Sequence, residues 1–229
     1  FLSLAAQQFR EVRNMERNSL NAIDRMELVP RGSAYIEGTA VVFEGRNYLA
    51  IFTALLTSLA TLTLSWWAGL AVGFISLGIG HRFMQGKSIR DIAFVEEAPI
   101  RLEGPNLYVG GVYMMNVGLD STRDTILKQG IGVTVTPKNG NGRVTIANLG
   151  QRQAILYDVS TRLGIYRDDG EPGLVPLSKL SLETGQLAVL VLPREKNADK
   201  AVQAIEHVPL LEAAVRMPTA ANRRGAEEI

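Results

Sequence analysis

Few residues in this chain are of a type that does chemistry. Its 229 residues include two histidines and no cysteine, which excludes disulfides, thiolate metal sites, iron–sulfur clusters and a cysteine nucleophile. His81 follows a long apolar run and precedes Arg82, whereas His207 follows Glu206 in a predicted helix. Neither histidine has a second ligand at metal-binding spacing, and no GxSxG motif supplies a serine nucleophile. We therefore interpret His81 as an interfacial anchor and His207 as a helix-end residue.

The acidic and glycine-rich segments also lack the spacing that chemistry requires. Asp168, Asp169 and Glu171 surround Gly170, but they lack the alternating ligands and the terminal glutamate of a calcium loop. No GxxxxGK[ST] or strand-coupled GxGxxG phosphate loop occurs. The sequence predicts no catalytic residue, no cofactor-binding residue and no metal ligand. We therefore expect a protein that is not an enzyme and that has no cofactor.

The charges are balanced along the chain. Lysine and arginine total 24 against 23 aspartate and glutamate, for a formal net charge of +1. No basic stripe is present, so we expect no nucleic-acid partner.

The most distinctive element is the run from Asn47 to Gly80, which contains no Asp, Glu, Lys or Arg. A continuous helix of this length would extend roughly 50 Å, against about 30 Å for the bilayer core. The sequence therefore predicts a transmembrane helical hairpin over 47–85. Its membrane-interface residues would be Tyr48, Trp66, Trp67 and Arg82, with the tryptophans at the turn. The basic residues that flank the run predict that both of its outer ends lie on the cytoplasmic side of a bacterial inner membrane.

Two alternatives remain open for this run. In the first, the run is a single membrane span, which would place the following domain in the periplasm. In the second, the run is a buried helical hairpin in a soluble protein. In each case small residues favour close helix contacts, and we predict helix packing at Gly69, Gly73 and Gly80. The absence of ionisable groups argues against transport through the run.

The segments before the run predict a helix and a strand. Residues 1–27 have an amphipathic pattern with a balanced polar face, which favours packing on protein. Residues 28–33 spell LVPRGS, the thrombin recognition sequence added to recombinant proteins, so 1–27 is either natural sequence or a separate appended piece. Residues 34–44 read as a strand, within a linker or strand region over 28–46.

After the run the pattern predicts a β-rich domain over 87–193. We predict strands at 92–95, 100–102, 107–115, 131–136, 143–147, 154–165, 174–182 and 186–192, with a hairpin turn at 137–142, a turn at 168–173 and a central position for the last strand. Asn197 or Asp199 would cap a C-terminal helix within 194–216, and Pro209 would kink or split it. Residues 217–229 are polar and are predicted to be a mobile tail.

These elements together predict an α+β membrane protein. Its β-rich domain would be a sandwich or small barrel, similar in element order to pleckstrin-homology-like domains. We expect a non-enzymatic, membrane-anchored structural subunit of a bacterial envelope complex, such as secretion or conjugation machinery. Its partners would be membrane lipids and other protein subunits, including further copies of itself. The alternatives are a membrane-tethered sensor of ligands or lipid headgroups, and an accessory subunit of a respiratory or photosynthetic complex.

Overall fold

A computed structural model describes residues 2–27, 29–83, 86–164 and 175–216. Within these ranges the side chains of Leu2, Val42, Arg82 and Phe83 are not described. The helices are α1 Leu2–Asp24, α2 Ser33–Thr63, α3 Trp66–Phe83, α4 Ile89–Ile92, α5 Asp120–Gln129, α6 Gly140–Ala147, α7 Leu149–Leu163 and α8 Ala198–Glu206, followed by a 3₁₀ turn at Glu212–Ala214. The strands are β1 Ala93–Ala98, β2 Ile100–Glu103, β3 Asn106–Val109, β4 Val112–Asn116, β5 Ile131–Pro137, β6 Leu177–Leu180 and β7 Leu187–Val191.

A four-stranded antiparallel sheet in the order β1-β5-β7-β6 forms the centre of the domain. The strands β5 and β7 lie in its interior, and every residue of β7 is buried. An interior strand covered on both faces requires apolar residues throughout. This explains the uninterrupted apolar sequence of β7.

The two faces of this sheet are covered differently. Side chains of α7 and α8 pack on one face and form the larger core cluster. A second antiparallel sheet, β2-β3-β4, packs on the other face with Ile126 of α5. Pro99 joins β1 directly to β2, and its carbonyl oxygen accepts a hydrogen bond from the Gly110 N–H at 2.9 Å. The chain thus passes from one sheet to the other without a long loop.

The structure is α+β with a β-rich region, as predicted, but three segments that were predicted as strands are helical. Residues 34–44 belong to α2, 143–147 to α6 and 154–163 to α7. The predicted hairpin turn at 137–142 instead begins a helix, because the Asn139 side chain accepts a hydrogen bond from the Gly142 N–H at 2.8 Å. The domain is therefore not the predicted sandwich or small barrel of strands alone, because helices cover one face of the four-stranded sheet.

The C-terminal helix is also shorter than predicted. α8 is capped by the Asn197 side chain, which accepts from the Lys200 N–H at 2.9 Å, and it ends at Glu206. Beyond it, the fully buried Gln151 side chain donates to the Pro209 carbonyl and accepts from the Leu211 N–H. These two bonds fix the segment in a non-helical path. The predicted turn at 168–173 and tail at 217–229 lie outside the described residues.

The predicted transmembrane hairpin is wrong. Among the described residues, none of the helices has both the length and the apolar character that crossing a bilayer requires. The run is divided at Leu64 and Ser65, so its uncharged parts cover only 47–63 in α2 and 66–80 in α3. At 1.5 Å per residue these extend roughly 25 Å and 22 Å, less than the bilayer core of about 30 Å. The inner-membrane localisation and the lipid-anchoring role depended on this prediction and are withdrawn with it.

Candidate interaction surface

The helices α1 and α2 are joined by a turn that one carboxylate organises. Asp24 accepts hydrogen bonds from the Arg31 N–H at 2.6 Å and the Gly32 N–H at 3.1 Å, and it is largely buried. Gly32 has a φ of 87°, a left-handed conformation that favours glycine. The turn therefore brings the start of α2 back along α1.

The first turns of α2 are attached to α7. Gly150 on α7 lies so close to α2 that an added Cβ would be 2.6 Å from the Cβ of Ala34. The Gln153 side chain donates to the Pro30 carbonyl at 2.5 Å, and the Arg31 guanidinium lies 4.8 Å from the centre of the Tyr157 ring. The domain thus holds α2 by its N-terminal end.

Ion pairs hold α1 along the next part of α2. Arg13 pairs with Glu37 and, at 3.0 Å, with Glu44, and Arg17 pairs with Glu37 at 3.4 Å. Hydrogen bonds from Arg13 lower the pKa of Glu37 below its ordinary value, and the same bonds raise the pKa of Arg13. α1 therefore packs on α2 through charge-assisted hydrogen bonds as well as apolar contacts.

The far part of α2 packs on α3 through small residues. An added Cβ at Gly69 would overlap the Thr61 hydroxyl, and one at Gly80 would be 2.6 Å from Cδ2 of Leu49. Gly73 lies beside Thr57. Residue numbers fall along α2 as they rise along α3, so the two helices are antiparallel. We call residues 47–80 of α2 and α3 the apolar helix pair.

The apolar helix pair exposes an unusual number of large apolar side chains. Thirteen of them are exposed: Phe52, Leu55, Leu56, Leu59, Leu62, Leu64, Trp66, Trp67, Leu70, Phe74, Ile75, Leu77 and Ile79. Single exposed apolar residues are normal on a protein surface, but a contiguous group marks an interaction site. This surface is the candidate functional site.

The structure places the predicted interface residues at three different positions. Tyr48 is half-buried, because its ring lies 5.7 Å from that of Phe9 on α1. Trp66 and Trp67 lie just after the break between α2 and α3, stacked 3.7 Å apart, and they are 57% and 66% exposed. Arg82 lies in the last turn of α3, and its side chain is outside the described part of the structure.

Two features of this region were missed from the sequence. Arg13 and Glu37 lie 24 residues apart, and only the antiparallel packing of α1 on α2 brings them together. The sequence also contains a heptad-like spacing that predicts an apolar stripe on α2, formed by Phe52, Leu55, Leu59 and Leu62.

A cluster of titratable side chains at the N-terminal end of α2 comes closest to the composition of a catalytic site. Asp158 on α7 is half-buried, and this burial raises its pKa. The positive charges of the nearby Arg162 and Arg31 lower the pKa and partly offset the effect of burial. Burial likewise raises the pKa of Tyr35, whose ring lies 6.2 Å from that of Tyr157. Within the described residues, no cluster of potential metal ligands is found. These groups lie at the joint between α2 and α7.

Comparison with known proteins matches nearly the whole chain to one family. A family model described as YIEGIA protein matches residues 1–221. The uncharacterized protein YphB of Bacillus subtilis (strain 168) is 54% identical over 219 residues, which cover 96% of this chain and 74% of the relative. No solved structure matches the chain.

The family match includes residues 1–27 as well as the LVPRGS segment at 28–33. Residues 35–40, in the first turns of α2, read Tyr-Ile-Glu-Gly-Thr-Ala and differ from the family's name in one letter. This segment contains Glu37, the partner of Arg13 and Arg17. The chain belongs to the YIEGIA protein family.

Proposed function

We propose that this protein is a non-enzymatic assembly subunit whose apolar helix pair binds other protein subunits. The observation that carries the proposal is the group of thirteen exposed large apolar side chains on residues 52–79. A folded domain over 86–216 and α1 together hold the pair at its base.

The exposed area is sufficient for a specific interface. At roughly 60–120 Å² per large apolar side chain, the thirteen exposed residues present on the order of 1,000 Å². A standard protein–protein interface buries about 800 Å² on each partner. The stacked Trp66 and Trp67 add the residue type that is most often an energetic hot spot.

The attachment of the pair also suits an assembly role. α2 is fixed to α7 near Pro30 and Ala34, and to α1 through Arg13. Because its contacts with α7 and α1 already fix the position of α2, the apolar helix pair loses little conformational entropy when it binds a partner. This favours affinity.

The test compares the sedimentation of the purified full-length protein with that of two triple variants. In the first, Phe52, Leu59 and Phe74 on the apolar helix pair are each replaced by Ser. In the control, the equally exposed Leu119, Leu149 and Leu182 of the domain are replaced by Ser. We expect wild type and control to form species larger than the 25.0 kDa chain, alone or with a protein purified with them. The first variant should remain monomeric, with unchanged helical circular dichroism.

Two outcomes would contradict the proposal. One is a wild-type protein that stays monomeric at all concentrations and that yields no partner. The other is preferential association of the apolar helix pair with phospholipid vesicles in place of protein.

A further inference from the structure

The two sides of the apolar helix pair differ in side-chain size. The row on α3 that contacts α2 contains Gly69, Gly73 and Gly80, and the row on α2 that contacts α3 contains Leu49 and Thr57. A helix turns 100° per residue, so a residue one position later lies about 100° around the helix. Antiparallel helices turn in opposite senses when viewed from one end. Rows that follow the two contact rows by one residue therefore lie on the same side of the pair.

One side consequently has a large row beside a small row. Its α3 row contains Leu70, Phe74 and Leu77, and its α2 row contains Ala50, Ala54 and Ser58; all six are exposed. The α2 row is small up to Ser58 and ends in Leu62, beside the break between the helices. We call this the mixed side. The opposite side, one residue before each contact row, is large on both helices, with Phe52 and Leu56 on α2 beside Val72 and Ile79 on α3. Leu59 and Ile75 lie at the outer edge of this side.

The two rows of the mixed side also alternate along the helix axis. Gly69 lies beside Thr61 and Gly73 beside Thr57, which places Phe74 level with residue 56. Phe74 is therefore at the height of the space between Ala54 and Ser58. By the same count Leu77 is level with the space between Ala50 and Ala54.

From this alternation we infer that the mixed side binds the mixed side of a second copy of this chain. The inference rests on the proposed function and names its partner. A twofold axis parallel to the helices would place α3 of each copy over α2 of the other at the same height. Phe74 would then insert between Ala54 and Ser58 of the partner copy, and the reverse contact would form by symmetry. This is the knobs-into-holes packing of a four-helix bundle, with a self-complementary interface.

The size and charge of the mixed side fit a second copy. A face two helices wide and about 20 Å long buries on the order of 1,000 Å² in total, which is the area that a specific interface needs. Residues 47–80 contain no Asp, Glu, Lys or Arg. Identical copies therefore approach without repulsion between these side chains, and no charge on the surface selects an oppositely charged partner.

Cysteine cross-linking tests this arrangement directly, because the natural chain contains no cysteine. Ser58→Cys and Phe74→Cys are purified separately, mixed, and treated with a short bis-maleimide cross-linker. We expect a covalent dimer in the mixture and little in either variant alone, because the twofold axis brings residue 58 of one copy to residue 74 of the other. The control mixture of Leu59→Cys and Ile75→Cys, on the opposite side, should give no covalent dimer.

A second measurement uses neighbouring residues on α3. We expect Phe74→Ala to weaken self-association at least tenfold in sedimentation equilibrium. Ile75→Ala removes a similarly exposed side chain one position later, on the opposite side, and should change association less than twofold. Equal cross-linking by both mixtures, or equal effects of the two alanine variants, would overturn the inferred dimer.

The remaining outcomes separate this inference from the proposed function. A monomeric wild type that binds a different protein through the apolar helix pair overturns the second copy but keeps the assembly role. A monomeric wild type that binds no protein overturns both.

Discussion

Gly69 lies where α2 and α3 are closest. An added Cβ there would be 3.1 Å from the Cβ of Thr61 and 3.3 Å from the Thr57 carbonyl oxygen, and it would displace the Thr61 hydroxyl. That hydroxyl donates to the Thr57 carbonyl at 2.8 Å. The glycine therefore permits both the helix contact and this hydrogen bond.

We predict that Gly69→Ala lowers the free energy of unfolding of the α2–α3 contact by about 1–3 kcal/mol, as overpacking does elsewhere. Gly78 on the same helix is the matched control, because an added Cβ there meets nothing within 4 Å. Gly78→Ala should stabilise α3 by up to about 1 kcal/mol through helix propensity. Hydrogen exchange of the α3 amides measures both effects. A stabilising Gly69→Ala would show that the helices are not in close contact at this position.

At the scale of elements, the position of α1 depends on the charge of Glu37. The pKa of Glu37 is lowered in the folded protein, chiefly by hydrogen bonds from Arg13. The stabilisation from this carboxylate is therefore complete above its unfolded pKa of about 4.3 and is lost as the pH falls through the lower, folded pKa. The docking of α1 on α2 should weaken in acid.

We predict that protection of the α1 amides, corrected for intrinsic exchange, falls severalfold as the pH is lowered below about 4. The size follows from partly exposed ion pairs, which contribute about 0.2–1 kcal/mol each. Arg13→Gln should reduce this protection at pH 7 and remove most of its pH dependence. Lys200→Gln breaks the exposed pair with Glu195 and should leave α1 unchanged. An Arg13→Gln profile identical to wild type would contradict this role of the ion pairs.

The sequence predicted some elements well because their patterns have one physical explanation. The run at 186–192 is apolar at every position except Gln186, and a strand buried on both faces explains it, as β7 shows. Of the two predicted caps, Asn197 and Asp199, the structure uses Asn197, since a side-chain acceptor before an amphipathic stretch favours a helix start.

Other patterns have two explanations that only tertiary contacts distinguish. Asn-Gly pairs at 139–142 suit both a hairpin turn and a helix cap, and the Asn139 side chain makes the cap. β-branched residues favoured strands at 34–44 and 154–165, but residues 34–44 lie in α2 and 154–163 in α7, and these two helices pack together where Ala34 meets Gly150. The apolar run indicated a membrane for a similar reason, because an uncharged apolar composition suits both a bilayer and a pair of packed helices.

At the scale of the whole molecule, two parts differ in how they are stabilised. The domain is built on two core clusters, with β5 and β7 buried at its centre. The apolar helix pair instead packs largely on itself and leaves its large side chains exposed. Parts with few buried apolar contacts open locally at lower free energy than the core. The pair should therefore be the less stable part of an isolated copy.

Self-association would stabilise the apolar helix pair relative to the domain, and the stabilisation would increase with protein concentration. In a protein that is mostly dimeric, exchange of α3 amides through the free monomer is proportional to the monomer fraction. This fraction is proportional to the inverse square root of the total concentration. We predict that protection at 66–80 rises about threefold for each tenfold increase in protein concentration. Amides of β5 and β7 provide an internal control and should not change, since their burial lies within one copy. Phe74→Ala should move this rise to at least tenfold higher concentrations, and protection at 66–80 that is independent of concentration in wild type would contradict a dimer formed through the mixed side.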